Sequence, residues 1–240
     1  MTLYFIACVL GQFLQTAAGF GFGILVMAVA GMFLPVTAVA SANGILGPLT
    51  NLFFLFRYWR KLNLRLIFWP ALSGLVAGTV AIYTIQFIPL TFLRGLLGIA
   101  LMGLSLYFML FQQRIHILPT PRNGIIAGAC GGLLSGYFST GGPPLVLYLL
   151  SVQDDKETYI VCVQTLYLIL SIGNTIGRIA SGYVTAEVLQ MSAIGLVGAG
   201  LGLWLGLKVV DRLNIQLLRI IAYILIGLSG LWMILNAWVF

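Results

Sequence analysis

Long apolar runs separated by short polar connectors dominate the sequence. A helix needs roughly 20 mostly apolar residues to cross a bilayer, and most of these runs reach that length. The pattern predicts two sets of four hydrophobic elements. They are Met1–Phe33, Ala38–Arg57, Leu66–Ile85 and Thr91–Phe111, then Gly124–Leu150, Thr158–Arg178, Val188–Leu207 and Ile215–Trp238. We therefore predict an all-α integral membrane protein that crosses the bilayer several times.

The first element of each set is interrupted. The interruption reads GFGFG at Gly19–Gly23 in the first set and STGGPP at Ser139–Pro144 in the second. Glycine permits backbone conformations that other residues avoid. Pro143 and Pro144 suit the first turn of a helix, where a missing N–H costs little. Each first element is therefore predicted to consist of two shorter helices with a break between them.

The two sets are related by an internal repeat. A shift of 121 positions places GFGILV (Gly21–Val26) on GPPLVL (Gly142–Leu147). Matching arginines and glycine motifs in one order are hard to obtain by chance, even in apolar sequence. We predict a duplication, with repeats at 1–111 and 122–240 and a cytoplasmic connector at 112–121. The aligned polar pairs are Thr37 with Thr158, Asn43 with Gln164, Arg57 with Arg178 and, at a slightly larger shift, Arg94 with Arg219.

Basic residues in the connectors predict how the repeats are oriented. Cytoplasmic connectors of membrane proteins are enriched in Lys and Arg. If each broken element crossed the membrane once, the repeats would be parallel and three of nine connector cations would lie outside. If each is a re-entrant hairpin, the repeats are inverted and all nine lie inside. We predict two inverted repeats, each a re-entrant hairpin plus about three transmembrane helices. The nine cations are Arg57, Arg60, Lys61, Arg65, Arg114, Arg122, Lys156, Lys208 and Arg212.

The two breaks are the first candidates for a binding site. Non-helical backbone at membrane depth occurs only where protein or a water-filled cavity covers it. The N-terminus of a half-helix presents unpaired amides and the positive end of the helix dipole, which favours an anion. The alternative is that the glycines only allow close helix packing. The predicted substrate-binding residues at the breaks are Gly19, Gly21, Gly23, Ser139, Thr140, Gly141 and Gly142.

Five polar residues inside the predicted spans are further candidates. A charge inside a span suggests function, and a guanidinium suits oxyanion binding. Arg94 and Arg219 lie inside their helices, and Arg178 stands alone among small and polar residues. The alternatives are contact with lipid headgroups or a role at a helix interface. Asn43 and Gln164 match across the repeat, so we predict that they line the pathway, although amides within membranes often only join helices.

Residue types that are absent from the predicted spans, or that form no recognised motif, limit the possible functions. The net charge is +7, but the basic residues lie in connectors, so nucleic-acid binding is not expected. The predicted spans have no Asp or Glu at mid-depth, where cation pathways need acids, so we expect an anionic substrate. The single histidine, His116, has no carboxylate to orient it. With no P-loop and no metal-ligand spacing, we expect no cofactor, no metal and no enzymatic activity.

The breaks GFGFGILV and STGGPPLVL, each followed by a helix with Thr near its start and Arg near its end, resemble those of the TauE/SafE sulfite-exporter family. The similarity covers nearly the whole chain. It implies a multi-pass transporter of the bacterial inner membrane that moves sulfur oxyanions or organosulfonates such as sulfite. Family members often read GxGGG followed by proline. Here phenylalanines separate the glycines of the first copy, and a proline pair replaces the third glycine of the second.

Three functions remain open from the sequence. The leading hypothesis is a secondary transporter that exports a small anion. The second is a small-anion channel, which the same hairpins could form. The third is a membrane-embedded enzyme or assembly subunit, which the lack of a catalytic constellation disfavours. The expected partners are a small anionic substrate and the lipid bilayer, and a homodimer is left open.

Overall fold

A computed structural model of the protein describes residues 1–18, 21–111, 118, 120–153, 155–209 and 215–238. All regular secondary structure in these residues is helical. Short 3₁₀ turns at Trp59–Lys61 and Ile85–Phe87 extend the third and fourth helices. The ten α-helices are α1 (Thr2–Ala18), α2 (Phe22–Ala30), α3 (Val36–Tyr58), α4 (Leu64–Thr84), α5 (Leu90–Phe111), α6 (Pro121–Phe138), α7 (Gly142–Val152), α8 (Lys156–Ala180), α9 (Ala186–Val209) and α10 (Ile215–Trp238).

Six of these helices, α3, α4, α5, α8, α9 and α10, are long and apolar enough to cross a membrane. Their boundaries fall within two residues of the predicted ones, and they give three spanning helices in each half of the sequence. The predicted breaks also separate helices, because α1 and α2 flank the first and α6 and α7 the second. The prediction of a multi-pass, all-helical membrane protein is confirmed.

Side chains in the connectors cap the helices that follow them. The Asp155 carboxylate accepts hydrogen bonds from the Thr158 amide at 3.1 Å and the Thr158 hydroxyl at 2.6 Å. These bonds lower the pKa of the Asp155 carboxyl, and the nearby Lys61 ammonium acts in the same direction. Asn63 and Thr120 cap α4 and α6 in the same way. Such caps satisfy amides that have no partner within the helix, which explains why helices begin at these connectors.

The chain packs as two compact units, and each takes helices from both halves of the sequence. Unit one comprises Met1–Ala42, Gln86–Arg114 and Thr185–Phe240, and unit two comprises Asn43–Ile85 and Ile115–Val184. Unit one therefore contains α1, α2, α5, α9, α10 and the start of α3. Unit two contains α4, α6, α7, α8 and the rest of α3. Each unit combines the broken element of one half with a long helix of the other.

In unit two, α6 packs along α4 through glycine. A Cβ on any of the facing glycines of α6 would collide with the α4 backbone, so only glycine permits this separation. Residue numbers rise together along the two helices, which are therefore parallel. The α6 residues are Gly128, Gly132 and Gly136, and they face Pro70, Gly74 and Gly78 of α4.

Two other pairs in unit two run antiparallel. A Cβ built on Gly44 of α3 would lie 3.2 Å from Oγ1 of Thr175, and one on Gly47 would lie 2.7 Å from Oγ of Ser171, so α3 and α8 run in opposite directions. Likewise, Gly131 of α6 lies beside Leu145 of α7, and the earlier residue Gly124 lies beside the later residue Tyr148. The two arms of the second broken element are therefore antiparallel.

Unit one repeats this arrangement with other helices. Glycines of α9 face α1 in parallel register, with Gly198 beside Phe5 and Gly202 beside Val9. By contrast, α5 and α10 are antiparallel. Gly98 lies against Gly230, and further along α5 the hydroxyl of Ser105 donates a 2.7 Å hydrogen bond to the carbonyl of Tyr223, which comes earlier in α10.

The end of α3 and the start of α8 lie at the same end of unit two. Nζ of Lys61 is 3.9 Å from Oδ2 of Asp155 and 4.0 Å from Oε2 of Glu157. The Cys162 thiol also lies 3.8 Å from the carbonyl oxygen of Asn63. Exposed ion pairs contribute at most about 1 kcal/mol each, so these contacts contribute little stability. They do locate the basic connector at Lys61 and the connector at Asp155 on one face of the unit.

Candidate functional site

The second break is a tight reversal between α6 and α7, in unit two. Ser139 adopts a left-handed conformation, with φ 54° and ψ 32°, and no other non-glycine residue with positive φ occurs in the described parts of the chain. Its amide bonds to the carbonyl of Ser135, and the Thr140 amide bonds to that of Leu134. This pairing of the last carbonyls of α6 is typical of a helix that ends in a left-handed residue.

The N-terminus of α7 lies at this reversal of the chain, and few of its backbone N–H groups are free to donate. Gly141 is the N-cap residue, and Gly142 is followed by the two prolines. Because proline has no N–H, Gly142 alone supplies an amide among the first three residues of α7. The first turn of α7 therefore offers few amides, together with the positive end of the helix dipole.

Tyr167 of α8 lies against this N-terminus. A Cβ built on Gly142 would lie only 2.8 Å from the Tyr167 hydroxyl oxygen, so glycine makes room for the phenol. That oxygen is buried and has no hydrogen-bond partner among the described residues. Tyr167 was not among the residues predicted from the sequence, since a tyrosine in an apolar helix belongs to no recognised binding motif. The one available signal is its place one turn after the candidate Gln164.

Two further hydroxyls meet at α3. Oγ1 of Thr175 and Oγ of Ser139 lie 3.2 Å and 4.0 Å from the position of a Cβ on Gly44. The preceding residue, Asn43, is 3% exposed, and neither polar atom of its side chain has a partner within the described structure. A buried polar group without a partner costs roughly 1–3 kcal/mol. Buried polar atoms without a protein partner are suited to a site in which they bond to a ligand or to water.

Arg178, a predicted substrate-binding residue, lies beside the last turn of α6 and contacts backbone. It is 0% exposed, and its Nη2 donates to the carbonyls of Gly136 and Tyr137 in the last turn of α6. One turn earlier in α8, Nδ2 of Asn174 donates to Oγ of Ser135 at 2.7 Å. Arg178 is the one charged side chain that is buried in the part of the chain the structure describes. Gln164 is also buried on α8, at 1% exposure.

The first break lies in unit one and has a different chemistry. Gly21 is the N-cap residue of α2, with φ 120° and ψ −13°, a conformation that requires glycine. Gly23 is half-buried in the first turn of α2, and Gly19 lies outside the described residues. Since no proline follows Gly21, the first turn of α2 keeps its amides. In α1, neither polar side-chain atom of Gln12, which is fully buried, has a partner among the described residues.

The other candidate arginines lie on other helices. Arg94 is half-buried on α5, in the same unit as Gly21. Arg219 belongs to α10, but its side chain lies outside the described part of the structure. Their assignment to the pathway stays a prediction. Arg57, which aligns with Arg178, is exposed, and its guanidinium lies 6.0 Å from the ring centroid of Tyr58.

The acidic side chains that the structure describes lie away from the break in unit two. The described acids, Asp155, Glu157 and Glu187, are exposed and lie at the first residues of helices or just before them. Asp154 and Asp211 lie outside the described residues. No group of three or more metal-ligating side chains occurs within the described parts of the chain. The described charge at the break is therefore positive, which matches an anionic ligand.

Comparison with known proteins gives one family and one relative. The sequence model of the family "Sulfite exporter TauE/SafE" matches residues 4–233. A curated protein of Cupriavidus necator, named "Probable sulfite/organosulfonate exporter TauE", is 28% identical, over 95% of this chain and 93% of that protein. No solved structure matches the chain. Because the family match covers nearly every residue, it confirms the resemblance seen in the sequence. The chain belongs to the TauE/SafE sulfite exporter family, a family of transporters and not of enzymes.

Proposed function

We propose that this protein is a secondary transporter that exports a small anion, with sulfite and organosulfonates as its substrates, across the bacterial inner membrane. The observation that carries the proposal is the break between α6 and α7, where a helix N-terminus and a buried arginine occur without a described carboxylate. The family supports transport of a sulfur oxyanion. The name of the Cupriavidus necator relative supports the same substrates.

The proposed anion site in unit two consists of Ser139, Thr140, Gly141 and Gly142, with the Tyr167 hydroxyl as an additional donor. Oxygen atoms of sulfite or a sulfonate accept hydrogen bonds, and hydroxyls and one amide supply them here. The positive end of α7 adds a favourable field. Because prolines remove the neighbouring amides, the site holds an anion with few bonds. A transported ion must also leave its site, so moderate binding suits transport.

Inverted repeats are part of the proposal. The helices that occupy matching places in the two halves, α3 with α8 and α5 with α10, pack antiparallel. Parallel repeats would orient such pairs in the same direction. In addition, α4 packs along α6 of the second half, just as α9 packs along α1 of the first. This reciprocal exchange supports a duplication in which one copy is turned over relative to the other.

The packing also supports a re-entrant hairpin in the second half. α6 and α7 are antiparallel, and α7 ends three residues before Asp155, which lies beside Lys61. With 11 residues, α7 is roughly 16 Å long. That is about half of the hydrocarbon thickness of a bilayer. An element that enters and leaves on one side accounts for these positions, and it places the Lys61 and Lys156 connectors together on the cytoplasmic face.

Transport into proteoliposomes tests this function. Purified protein is reconstituted, and uptake of radiolabelled sulfite is measured against empty vesicles, with sulfate, sulfoacetate and taurine as competitors. We expect saturable uptake that is accelerated by unlabelled sulfite inside the vesicles, which is the behaviour of a carrier. Single-channel currents would indicate an anion channel instead. Transport of a cation and of no sulfur oxyanion would overturn the proposal.

A further inference from the structure

Arg178 occupies the position of a cation at a helix C-terminus. Its guanidinium donates to the carbonyls of Gly136 and Tyr137, which belong to the last turn of α6. The last carbonyls of an α-helix have no partner within the helix. They also form the negative end of its dipole, which a cation stabilises. The contacts of Arg178 therefore match those of a residue that holds protein backbone.

A second side chain of α8 holds the same turn. Nδ2 of Asn174 donates to Oγ of Ser135 at 2.7 Å. Residues four apart lie on one face of a helix, so Asn174 and Arg178 reach adjacent residues of α6 together. Oδ1 of Asn174 would lie 2.6 Å from a Cβ built on Gly78 of α4, so the amide sits closely between two helices. The last turn of α6 is thus held by two side chains of α8, which donate three hydrogen bonds to it.

The turn held in this way leads directly into the strained residue of the break. Ser139 follows Phe138 in a left-handed conformation. A residue with a Cβ adopts that conformation only at a steric cost. Such conformations persist where surrounding contacts determine them. The bonds from Arg178 and Asn174, one turn earlier, are contacts of that kind.

We propose that Arg178 is a positioning residue. By binding the last carbonyls of α6 it holds Ser139 in its left-handed turn, and it thereby fixes the N-terminus of α7, while it makes no bond to the substrate itself. The functional meaning of this role rests on the proposed function, because it assumes that the break is the transport site. The positioning itself is a property of the fold and is measurable without a substrate.

Cysteine labelling measures the position of the break directly. Thr140 is 2% exposed, so a Thr140→Cys variant, in a protein whose native cysteines are replaced by serine, should react slowly with a polar thiol reagent. Adding Arg178→Gln should increase its labelling rate at least about tenfold, because the turn opens locally. Adding Ser139→Gly as well should slow labelling again, since glycine adopts the left-handed conformation freely. The same labelling rate with and without Arg178 would overturn the proposal, as would no effect of Ser139→Gly.

Two further variants keep the test decisive. Arg57→Gln removes the exposed arginine that aligns with Arg178, and it should leave Thr140→Cys labelling unchanged. If Arg178→Gln does not assemble, Arg178→Lys replaces it, since lysine keeps the cation but not the planar pair of donors. Labelling in Arg178→Lys should be intermediate and again be slowed by Ser139→Gly. The absence of that suppression would contradict the positioning role.

Transport kinetics separate positioning from substrate binding. In a positioning role, Arg178→Gln lowers the maximal rate and changes KM for sulfite by less than about threefold. A rise of KM of about tenfold or more at an unchanged maximal rate would show that Arg178 binds the substrate. If the wild-type protein moves no sulfur oxyanion, the proposed function fails while the labelling experiment still tests Arg178.

Discussion

At the scale of single residues, the close fit between Gly142 and Tyr167 constrains the proposed site. A methyl group on Gly142 would lie 2.8 Å from the phenol oxygen, which is closer than real Cβ contacts. We expect Gly142→Ala to displace Tyr167 and reduce anion transport about tenfold or more, since misplacing a site by about 1 Å has effects of that size. Proteoliposome uptake measures this.

Gly103→Ala is the matched control, because a Cβ at Gly103 meets no atom within 4 Å. This variant should transport normally. Replacing Tyr167 shows whether a loss of transport in Gly142→Ala comes from displacement of its phenol or from another cause. If the Gly142→Ala defect comes from displacement of Tyr167, the double variant with Tyr167→Phe should regain part of the rate. Equal transport by Gly142→Ala and Gly103→Ala would show that Gly142 does not shape the site.

The two aligned arginines show what the sequence reveals at this scale. Arg57 and Arg178 both stand near the end of an apolar helix, and only Arg178 is isolated from other basic residues in the sequence. It could not show that Arg178 is 0% exposed while Arg57 is exposed, because that difference depends on which helix packs opposite. The carbonyls of α6 that Arg178 binds are about 40 residues away in sequence.

At the scale of helices, the glycine contact between α4 and α6 is highly sensitive to substitution. A Cβ on Gly132 would collide with the backbone of Gly74. We expect Gly132→Ala to force the helices apart and to destabilise the protein by about 1–3 kcal/mol, the usual cost of overpacking. Thermal unfolding in detergent measures this as a lowered Tm.

Gly200→Ala provides the comparison, since Gly200 is also a helix glycine but faces open space in the structure. Alanine is favoured over glycine within a helix by up to about 1 kcal/mol, so this variant should keep or raise the Tm. If Gly132→Ala lowers the Tm and Gly200→Ala does not, the loss of stability comes from the α4–α6 contact. A Gly132→Ala protein as stable as Gly200→Ala would contradict the packing described here.

Helix positions were predictable from the sequence, whereas helix partners were not. The six spanning helices begin and end within two residues of the predicted boundaries, because charges, prolines and caps in the connectors mark those boundaries. The packing partners of the helices are not marked in this way. The glycine faces of α4 and α6 would each fit other small-residue faces, and apolar pattern alone does not choose among them. The pairing of α4 with α6, across the two halves, appears only in the structure.

At the scale of the molecule, this exchange makes the two halves depend on each other. Unit two needs α4 from the first half, and unit one needs α9 and α10 from the second. We therefore expect fragments 1–111 and 122–240 to be degraded or to aggregate when either is expressed alone. When they are expressed together, they should assemble and purify as a complex. A single half that is stable in detergent and resists protease would argue against reciprocal packing.

Orientation in the membrane provides the last test at this scale. Lys61 and Asp155 lie 3.9 Å apart, so both connectors face the same side whatever the direction of insertion. The basic residues of the Lys61 connector predict that this side is the cytoplasm. We expect single cysteines at Asn63 and Asp155 to be labelled from the cytoplasmic side only, and a cysteine at Pro89, in a connector without cations, from the periplasmic side only. Labelling of Asp155 from the periplasm, with Asn63 protected there, would mean that the broken element crosses the membrane, and the inverted-repeat proposal would fail with it.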